Sequence, residues 1–441
     1  MAFEEYVTSN GERLRRGYTT GTCAALAAKA AAELLLRGTA PESVSVLTPA
    51  GVTVTVQPEE VHRCDSTSAA ASSAAARAAA STASGATEGT GTLDTPSSPG
   101  ASGTTDVTGT DALGTSDAPS TANATGATAH ATIIKDAGDD YDVTNGTRVC
   151  AFVTLCDRDI SIDGGIGVGR VTCPGLDQPV GNAAINSGPR AMIRAALEDA
   201  ALEAGYLGGF NVVVEVPEGA EIGRKTFNPS LGIVGGISIL GTSGIVEPRS
   251  LKALQDALKV EIHVRAANGG KRLIVVPGNY GQAFLETMGL PADIPVVSCA
   301  NFIGFTLDQA AEEGFEQLLL VGHIGKLVKV AGGVMDTHSR MADCRREIFA
   351  AHAAAAGASQ QTVLDIFDCM TTDACLDVVE SAGVKNQVLD RLARAIQYQL
   401  EHRAGDKMDM GAVIFSNKTG LLTCTDNAKR LMDDWKRKEE Q

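Results

Sequence analysis

The sequence predicts a two-domain protein, with a mixed α+β domain at residues 1–245 and a Rossmann-like, three-layer α/β domain at residues 246–441. The chain has 441 residues, 44% of them hydrophobic, so it is long enough to bury more than one core. From Lys271 onward, short apolar runs alternate with helical runs, which is typical of βαβ units around a parallel sheet. Before that point, strand and helix patterns are mixed without this regular alternation.

A stretch of low-complexity sequence, Ser66–Ala131, interrupts the first domain. It consists mainly of Ala, Ser, Thr and Gly and contains no Ile, Phe, Trp, Tyr or Met. Such a segment cannot bury enough apolar surface to offset its conformational entropy, so we predict a disordered insertion. The strand-like runs Val52–Val56 and Ala131–Lys135 flank it, which predicts that it connects the two strands of a β-hairpin.

The remaining elements follow from apolar periodicity and from Gly and Pro signals. In the first domain we expect helices at Cys23–Arg37 and from Pro189 to Gly205, and strands at Val149–Leu155 and Phe210–Val216. In the second domain we expect the strands Arg272–Val276, Pro295–Ser298, Gln317–Val321 and Met410–Phe415, and the helices Gln282–Met288, Leu307–Phe315 and Asp426–Lys438, with Ser339–Gln399 mainly helical.

Composition excludes several classes of function. The net charge of −16 argues against nucleic acid as a partner, because binding phosphates requires a basic surface. No apolar stretch is long and uncharged enough to span a membrane, and Met1–Glu5 does not open a secretory signal, so we expect a cytoplasmic protein. Ten cysteines without a CxxC pair indicate reduced thiols, and we expect no metal site in the protein.

Three glycine-containing loops follow predicted strands of the second domain: Pro277–Gly281, Cys299–Gly304 and Gly322–Lys326. In open α/β sheets, ligands bind beyond the carboxyl ends of the strands, where glycine lets the backbone approach a ligand. The loops are therefore candidates for a ligand site, although each is also compatible with a tight turn alone. His323 follows a buried strand at this edge, so we expect it to make a polar contact or transfer a proton.

Two further glycine runs lie in the first domain, at Asp163–Gly169 and Leu231–Gly244. Glycine weakens strands and marks a close approach of the backbone. A flat ligand lying across exposed backbone would explain both runs, and so would a bend or a close-packed interface. Basic residues occur near these loops, and arginine makes bidentate contacts with carboxylates, which suits a ligand bearing several carboxylates.

The order of motifs resembles one known family. The motifs are Arg16–Ala24, Lys135–Asp140, Gly164–Gly169, Asn228–Pro248, Gly278–Gly281, Asn301–Gly304, Gly322–Lys326 and Thr337–Ser339. Together they resemble the CbiD family, the cobalt-precorrin-5B (C1)-methyltransferases. The resemblance extends from about residue 13 to residue 435, except for the insertion.

This resemblance implies transfer of a methyl group from S-adenosylmethionine to ring carbon C1 of cobalt-precorrin-5B, giving cobalt-precorrin-6A in the anaerobic route to cobalamin. S-adenosylmethionine is then a co-substrate, and cobalt is carried by the tetrapyrrole substrate only. A sulfonium donor is already activated, which agrees with the lack of a nucleophile signature. Within this interpretation the second domain binds the methyl donor and the first domain faces the macrocycle.

The sequence then assigns candidate residues to each role. His323 is the catalytic candidate. For donor binding we predict Gly278, Asn279, Gly281, Asn301, Gly322, Gly325 and Lys326. For substrate binding we predict Thr20, Thr22, Arg170, Arg190, Arg224 and Lys225.

Two other functions remain open at this stage. One is a nucleotide-dependent enzyme of another reaction type that uses the same loops, and the other is a non-catalytic corrinoid-binding protein. The sequence leaves open whether the chain forms a homo-oligomer.

Overall fold

The computed structural model describes residues 3–9, 11–64 and 126–439 and is a mixed α/β structure with several sheets. The chain forms two compact units. The first comprises residues 1–172 and 177–249, and the second comprises residues 173–176 and 250–441. Within the described residues, no helix is both long enough and apolar enough to cross a membrane.

The first unit contains three α-helices and thirteen strands among its described residues. The strands are β1 Tyr6–Ser9, β2 Glu12–Arg15, β3 Gly17–Tyr18, β4 Val44–Leu47, β5 Thr53–Val56, β6 Glu60–Arg63, β7 Thr128–Ile134, β8 Arg148–Cys156, β9 Ile160–Gly164, β10 Arg170–Val171, β11 Gly209–Glu215, β12 Ile233–Val234 and β13 Ile245–Val246. The helices are α1 Thr20–Arg37, α2 Ser187–Ala204 and α3 Gly219–Gly223.

The main sheet of this unit has the strand order β6-β7-β8-β11-β9 and is antiparallel except where β9 runs parallel to β11. Helix α1 packs against α2, β7 and β8, and its residues from Thr20 to Leu36 are buried. Its run of alanines explains this, because small side chains on every face let neighbours approach from all sides. Thr19 caps its N-terminus and Gly38, at φ 79°, ends it.

The glycine runs of the first unit bring backbone segments against one another. A Cβ atom on Gly167, which has φ +70°, would overlap the carbonyl oxygen of Val216. Likewise, a Cβ on Gly236 would overlap the carbonyl oxygen of Gly167, and one on Gly241 would overlap Thr19. Of the two explanations considered for these runs, close packing within the protein therefore accounts for these glycines.

The second unit contains nine α-helices and five strands among its described residues. The strands are β14 Arg272–Val276, β15 Val296–Ser298, β16 Gln317–His323, β17 Asp409–Ser416 and β18 Gly420–Cys424. The helices are α4 Leu251–Ala267, α5 Asn279–Leu285, α6 Ile303–Glu312, α7 Ile324–Ala331, α8 Arg345–Ala355, α9 Gln360–Phe367, α10 Thr372–Ser381, α11 Lys385–Ala404 and α12 Asp426–Glu439.

These strands form one sheet in the order β15-β14-β16-β17-β18, parallel except for β18. Alternate residues of β16 enter different cores, with Leu318 and Leu320 on one face and Leu319 and Val321 on the other. Helices including α6, α7 and α11 cover the first face, and α5 and α12 cover the second. Both faces are therefore buried, as expected for parallel strands that are apolar throughout.

Most predicted strands and helices have counterparts in the structure, with ends displaced by a few residues. Helix α1 begins at Thr20 rather than Cys23 because Thr19 supplies the N-cap. Helix α2 begins two residues before Pro189, which lies in the first turn, where its missing N–H group has no intrahelical partner to lose. Helix α4 was not predicted, because the apolar residues in its sequence do not form a clear amphipathic pattern.

The segment at residues 66–131 connects two antiparallel strands, as predicted, but the predicted first strand of that hairpin is wrong. Strand β5 pairs with β4, and the strand that pairs with β7 is β6. Residues 66–125 of the predicted disordered segment lie outside the described residues, whereas 128–131 belong to β7. The alanines of that strand, Ala129 and Ala131, are fully buried in the core that contains α1, where larger residues would not fit as closely.

We expect Gly167→Ala to destabilise the protein much more than Gly146→Ala. Both glycines have positive φ, so an alanine costs about 1–2 kcal/mol at either position. Only Gly167 faces a backbone carbonyl, which adds about 1–3 kcal/mol for overpacking, whereas nothing lies within 4 Å of a Cβ on Gly146. Denaturant unfolding measures both changes, and equal losses would contradict the close packing described here.

Candidate active site

The candidate site lies at the carboxyl ends of the parallel strands in the sheet of the second unit. Strands β14, β15, β16 and β17 are parallel, so the segments that follow them meet at their carboxyl ends. Numbered along the chain, the strands lie across the sheet in the order 2-1-3-4-5, and the direction of connection reverses between β14 and β16. This reversal is the topological switch point at which open α/β sheets bind ligands. The loop after β14 and helix α7 after β16 flank it.

Lys326 joins two of these segments. Its ammonium nitrogen donates to the backbone oxygen of Ala300 at 2.9 Å and to Oδ1 of Asn301 at 3.0 Å. Thr337 also binds Asn301. Its hydroxyl donates to Oδ1 of Asn301 at 3.3 Å, and its N–H group donates to the backbone oxygen of Asn301 at 3.0 Å. Burial lowers the pKa of Lys326, and nearby Lys329 acts in the same direction. Two of the three donors of the Lys326 ammonium are thus occupied.

Gly278 leaves space beside this ammonium. It has φ +100°, and a Cβ added there would lie 3.4 Å from Nζ of Lys326. Gly281 and Gly322 have a different role, because their Cβ atoms would lie 2.8 Å from side-chain atoms of Val276 and Leu327. These two glycines allow α5 and α7 to pack on the strands.

Asn279 is exposed at the start of α5, and its side chain makes no hydrogen bond with the described residues. Gly325, in contrast, is tied to a neighbour, because its N–H group donates to a ring nitrogen of His323. Four predicted donor-binding residues, Gly278, Asn301, Gly325 and Lys326, therefore lie in or beside one connected set of contacts.

His323 ends β16 and caps the N-terminus of α7. Its Nδ1 atom accepts a hydrogen bond from the N–H group of Gly325 at 3.0 Å, so the neutral ring carries its proton on Nε2. Burial lowers the pKa of His323, and the charge of Asp373 opposes this shift. A ring in this state donates through Nε2 and has no vacant nitrogen to accept a proton. Its predicted proton-transfer role remains a prediction that this hydrogen bond disfavours.

Aromatic rings surround His323. The ring centroid of Phe415 lies 5.7 Å away in an edge-on arrangement, and that of Tyr280 lies 6.4 Å away. Phe284 stacks on Phe415 with the centroids 4.3 Å apart. Tyr280 is 67% exposed, so it presents an open aromatic surface beside the histidine.

A cavity of about 260 Å³ lies next to this group. Thr372, one of its lining residues, has its hydroxyl 3.5 Å from the position that a Cβ on Gly325 would take. Arg345 and Arg346 contribute basic groups to the lining, although Arg345 is paired with Asp343. The cavity is smaller than the roughly 300–1,000 Å³ of typical ligand pockets, so it can hold only part of a cofactor-sized molecule.

The threonines predicted to bind substrate are buried in the first unit. The hydroxyl of Thr22 donates to the backbone oxygen of Gly244 at 2.7 Å, and Thr22 is fully buried. The hydroxyl of Thr20 donates to the backbone oxygen of Leu240 and accepts from its N–H group. Both side chains hold the glycine-rich segment before β13 against α1, which does not support their predicted contact with a substrate.

The predicted basic residues divide into two kinds. Arg170 is buried, binds both carboxylate oxygens of Asp163 and donates to the backbone oxygen of Gly164. Arg190 donates to three backbone oxygens, and burial lowers its pKa. These two arginines hold the protein together and do not present an open guanidinium. Arg224 and Lys225 are exposed, and Lys225 pairs with Glu221.

Some residues of the candidate site were not found from the sequence. Asp373 lies near His323 and accepts a hydrogen bond from the hydroxyl of Ser416 at 2.6 Å. Thr337 had been noted only as part of a motif. Nothing in the sequence links Asp373 to His323, because the two are brought together by the packing of α10 near the end of β16.

Family models match the first unit and the C-terminal part of the second, but not residues 249–335, which contain β14, β15 and β16. One described as CbiD matches residues 7–90 and 57–248, and one described as CbiD, C-terminal domain, matches residues 336–426. The chain belongs to the CbiD family.

Curated relatives extend along nearly its whole length. A protein of Ruminiclostridium cellulolyticum is 40% identical over 418 residues, covering 94% of this chain and 92% of its own length. A protein of Alkaliphilus metalliredigens is 38% identical over 431 residues, covering 98% of this chain and 97% of its own. Both are named cobalt-precorrin-5B C(1)-methyltransferase.

A solved structure is also similar. It is the crystal structure of a cobalamin biosynthesis protein, cbiD, from Archaeoglobus fulgidus, with 26% sequence identity and a TM-score of 0.35. The match covers 77% of this chain and 87% of that one.

We expect His323→Ala to lower the free energy of unfolding by about 0.5–2 kcal/mol, because it removes the N-cap of α7. His323→Asn should restore most of this loss, since asparagine is a preferred N-cap. Because folding lowers the pKa of His323, its contribution is fully present above the unfolded value of 6.5 and declines as the pH falls. Denaturant unfolding at pH 8 and pH 5.5 should therefore show a smaller pH dependence in the asparagine variant than in the wild type. An equal dependence would refute the role of His323 as a neutral cap.

Proposed function

We propose that this chain is a cobalt-precorrin-5B C(1)-methyltransferase, which transfers a methyl group from S-adenosylmethionine to C1 of its tetrapyrrole substrate. The observation that carries this proposal is the match with relatives of that name over 94% and 98% of the chain. A match of this extent includes both compact units, so it supports the whole activity rather than one shared domain.

The methyl donor is placed, in this proposal, at the switch point between β14 and β16. The order and direction of the strands support a Rossmann-like interpretation of the second unit. The third donor of the Lys326 ammonium remains to bind the carboxylate or a hydroxyl of S-adenosylmethionine, and Gly278 leaves that ammonium approachable. Exposed Tyr280 offers a surface on which the adenine ring can stack.

The chemical task of these residues is to position two reactants. The methyl group leaves the sulfonium as the new carbon–carbon bond forms, and the sulfur retains the electron pair of the broken bond. No covalent intermediate with the protein is needed, and alignment of the reactants can supply roughly 7–11 kcal/mol of the barrier. His323 contributes an Nε2–H donor at this edge rather than a base.

The macrocycle is assigned to the first unit, where Arg224 is the strongest remaining candidate for a contact with a substrate carboxylate. It is exposed and makes no salt bridge with the described residues. Local binding of an anion is compatible with the net charge of −16, because charges beyond about 8 Å are largely screened at physiological ionic strength. Cobalt belongs to the substrate in this proposal.

Lys326→Gln should weaken binding of S-adenosylmethionine about 10- to 100-fold, the range expected when a hydrogen bond to a charged group is lost. The matched control is Lys271→Gln, because Lys271 precedes β14 and so lies at the amino ends of the strands, on the opposite side of the same sheet. Isothermal titration calorimetry measures both affinities. Unchanged affinity in the Lys326 variant would remove the switch point as the donor site while leaving the overall reaction untouched.

The reaction itself is tested by anaerobic incubation with cobalt-precorrin-5B and methyl-labelled S-adenosylmethionine. We expect the label at C1 of the tetrapyrrole, detected by mass spectrometry and NMR. A control enzyme of the same activity must label the same substrate preparation. If it does and this protein does not, the chain is not the methyltransferase, and binding of the macrocycle without turnover would favour a corrinoid-binding protein.

A further inference from the structure

Three metal-ligating side chains converge on the edge of the main sheet in the first unit. In the register of β6 with β7, His62 lies directly opposite His130, and Glu60 lies two residues before His62 on the same face. One ligand atom from each of Glu60, His62 and His130 lies within 4.8 Å of the other two. These residues are far along the chain from the segments assigned to the methyl donor.

His130 provides an independent indication of a ligand. Its side chain is buried, with only 8% of the residue exposed, and its Nδ1 atom has no hydrogen-bond partner among the described residues. Buried polar atoms almost always have a partner, so an unpaired imidazole nitrogen requires an explanation. The rings of His62 and Phe152 flank it, with centroids 4.9 and 4.6 Å away, and Nε2 of His130 lies 3.5 Å from the hydroxyl of Thr132.

We propose that Glu60, His62 and His130 bind one divalent late transition-metal ion, for which Zn²⁺ is the natural probe. Two imidazoles and one carboxylate suit Zn²⁺ and its neighbours, whereas Mg²⁺ and Ca²⁺ prefer oxygen ligands alone. Tetrahedral bonds of about 2.0–2.1 Å bring ligand atoms to roughly 3.3 Å from one another. The exposed side chains of Glu60 and His62 can make that adjustment, while buried His130 provides a fixed ligand.

The ion would connect edge strand β6 to β7 near the end of β6 and the start of β7. Because a long connection makes pairing of its ends entropically costly, a metal clip here favours the paired state. This proposal replaces the expectation, drawn from the sequence, that the protein has no metal site of its own. It concerns the protein's own ligands and is separate from the cobalt of the substrate.

The test is titration of the full-length, chelator-treated and reduced protein with Zn²⁺, followed by calorimetry, and with Co²⁺, followed by visible absorption. Wild type should bind one equivalent. Glu60→Gln and His62→Ala, both at exposed positions, should each weaken binding by more than about 10-fold, because even second-shell changes cost 10- to 100-fold. The visible bands of bound Co²⁺ should be lost in the same two variants.

Glu59→Gln and His402→Ala are the matched controls, since each removes an exposed group of the same type outside the cluster. Both should retain wild-type affinity. The proposal is overturned if wild type shows no saturable binding, or if the Glu60 and His62 variants bind as tightly as wild type. Equal loss in the controls would also overturn it, because the ion would then not be held by these three residues.

Discussion

Parallel pairing of β14 with both β15 and β16 is the constraint on which the candidate active site depends. It places the segments after three strands at one edge, although they are separated along the chain. Lys326 then fixes the distance between two of them by binding Ala300 and Asn301. The apolar residues that drive this pairing are buried on both faces of the sheet, so the geometry of the polar edge is set by the packing of the core beneath it.

In the first unit, small residues set the geometry by allowing neighbouring segments to pack closely. The alanines of α1 allow it to be surrounded by β7, β8 and α2, and the glycines at 167 and 236 allow backbone to lie directly on backbone. Threonines and arginines that could have served a ligand are used to hold these segments together. Several polar residues of this unit are consequently already bonded within the fold rather than open to a ligand.

Sequence reasoning located the four parallel strands of the second unit because they are short and apolar and, as at β14, bounded by glycine, but it did not predict β18. It also predicted that Gly278, Asn301 and Lys326 lie together, since residues after parallel strands share one end of the sheet, and the structure brings them together. The contacts of Thr22 and Arg170 with a substrate stay predictions that the structure does not support, because a sequence does not reveal whether a polar group is already hydrogen-bonded within the fold. The pairing of β6 with β7 was missed for a related reason, since apolar alternation identifies a strand but not its distant partner.

The position of β6 has a consequence for the order in which the first unit forms. Strands β7 and β8 are close in sequence, so little loop-closure entropy opposes their pairing and we expect them to pair early. Pairing of β6 with β7 closes a much longer segment of chain, so we expect it to form later. As an edge strand, β6 has one neighbour in the sheet, so its removal leaves the pairing of β7 with β8 and of β8 with β11 intact. We therefore expect the backbone amides of β6 to exchange with solvent by local opening, without global unfolding.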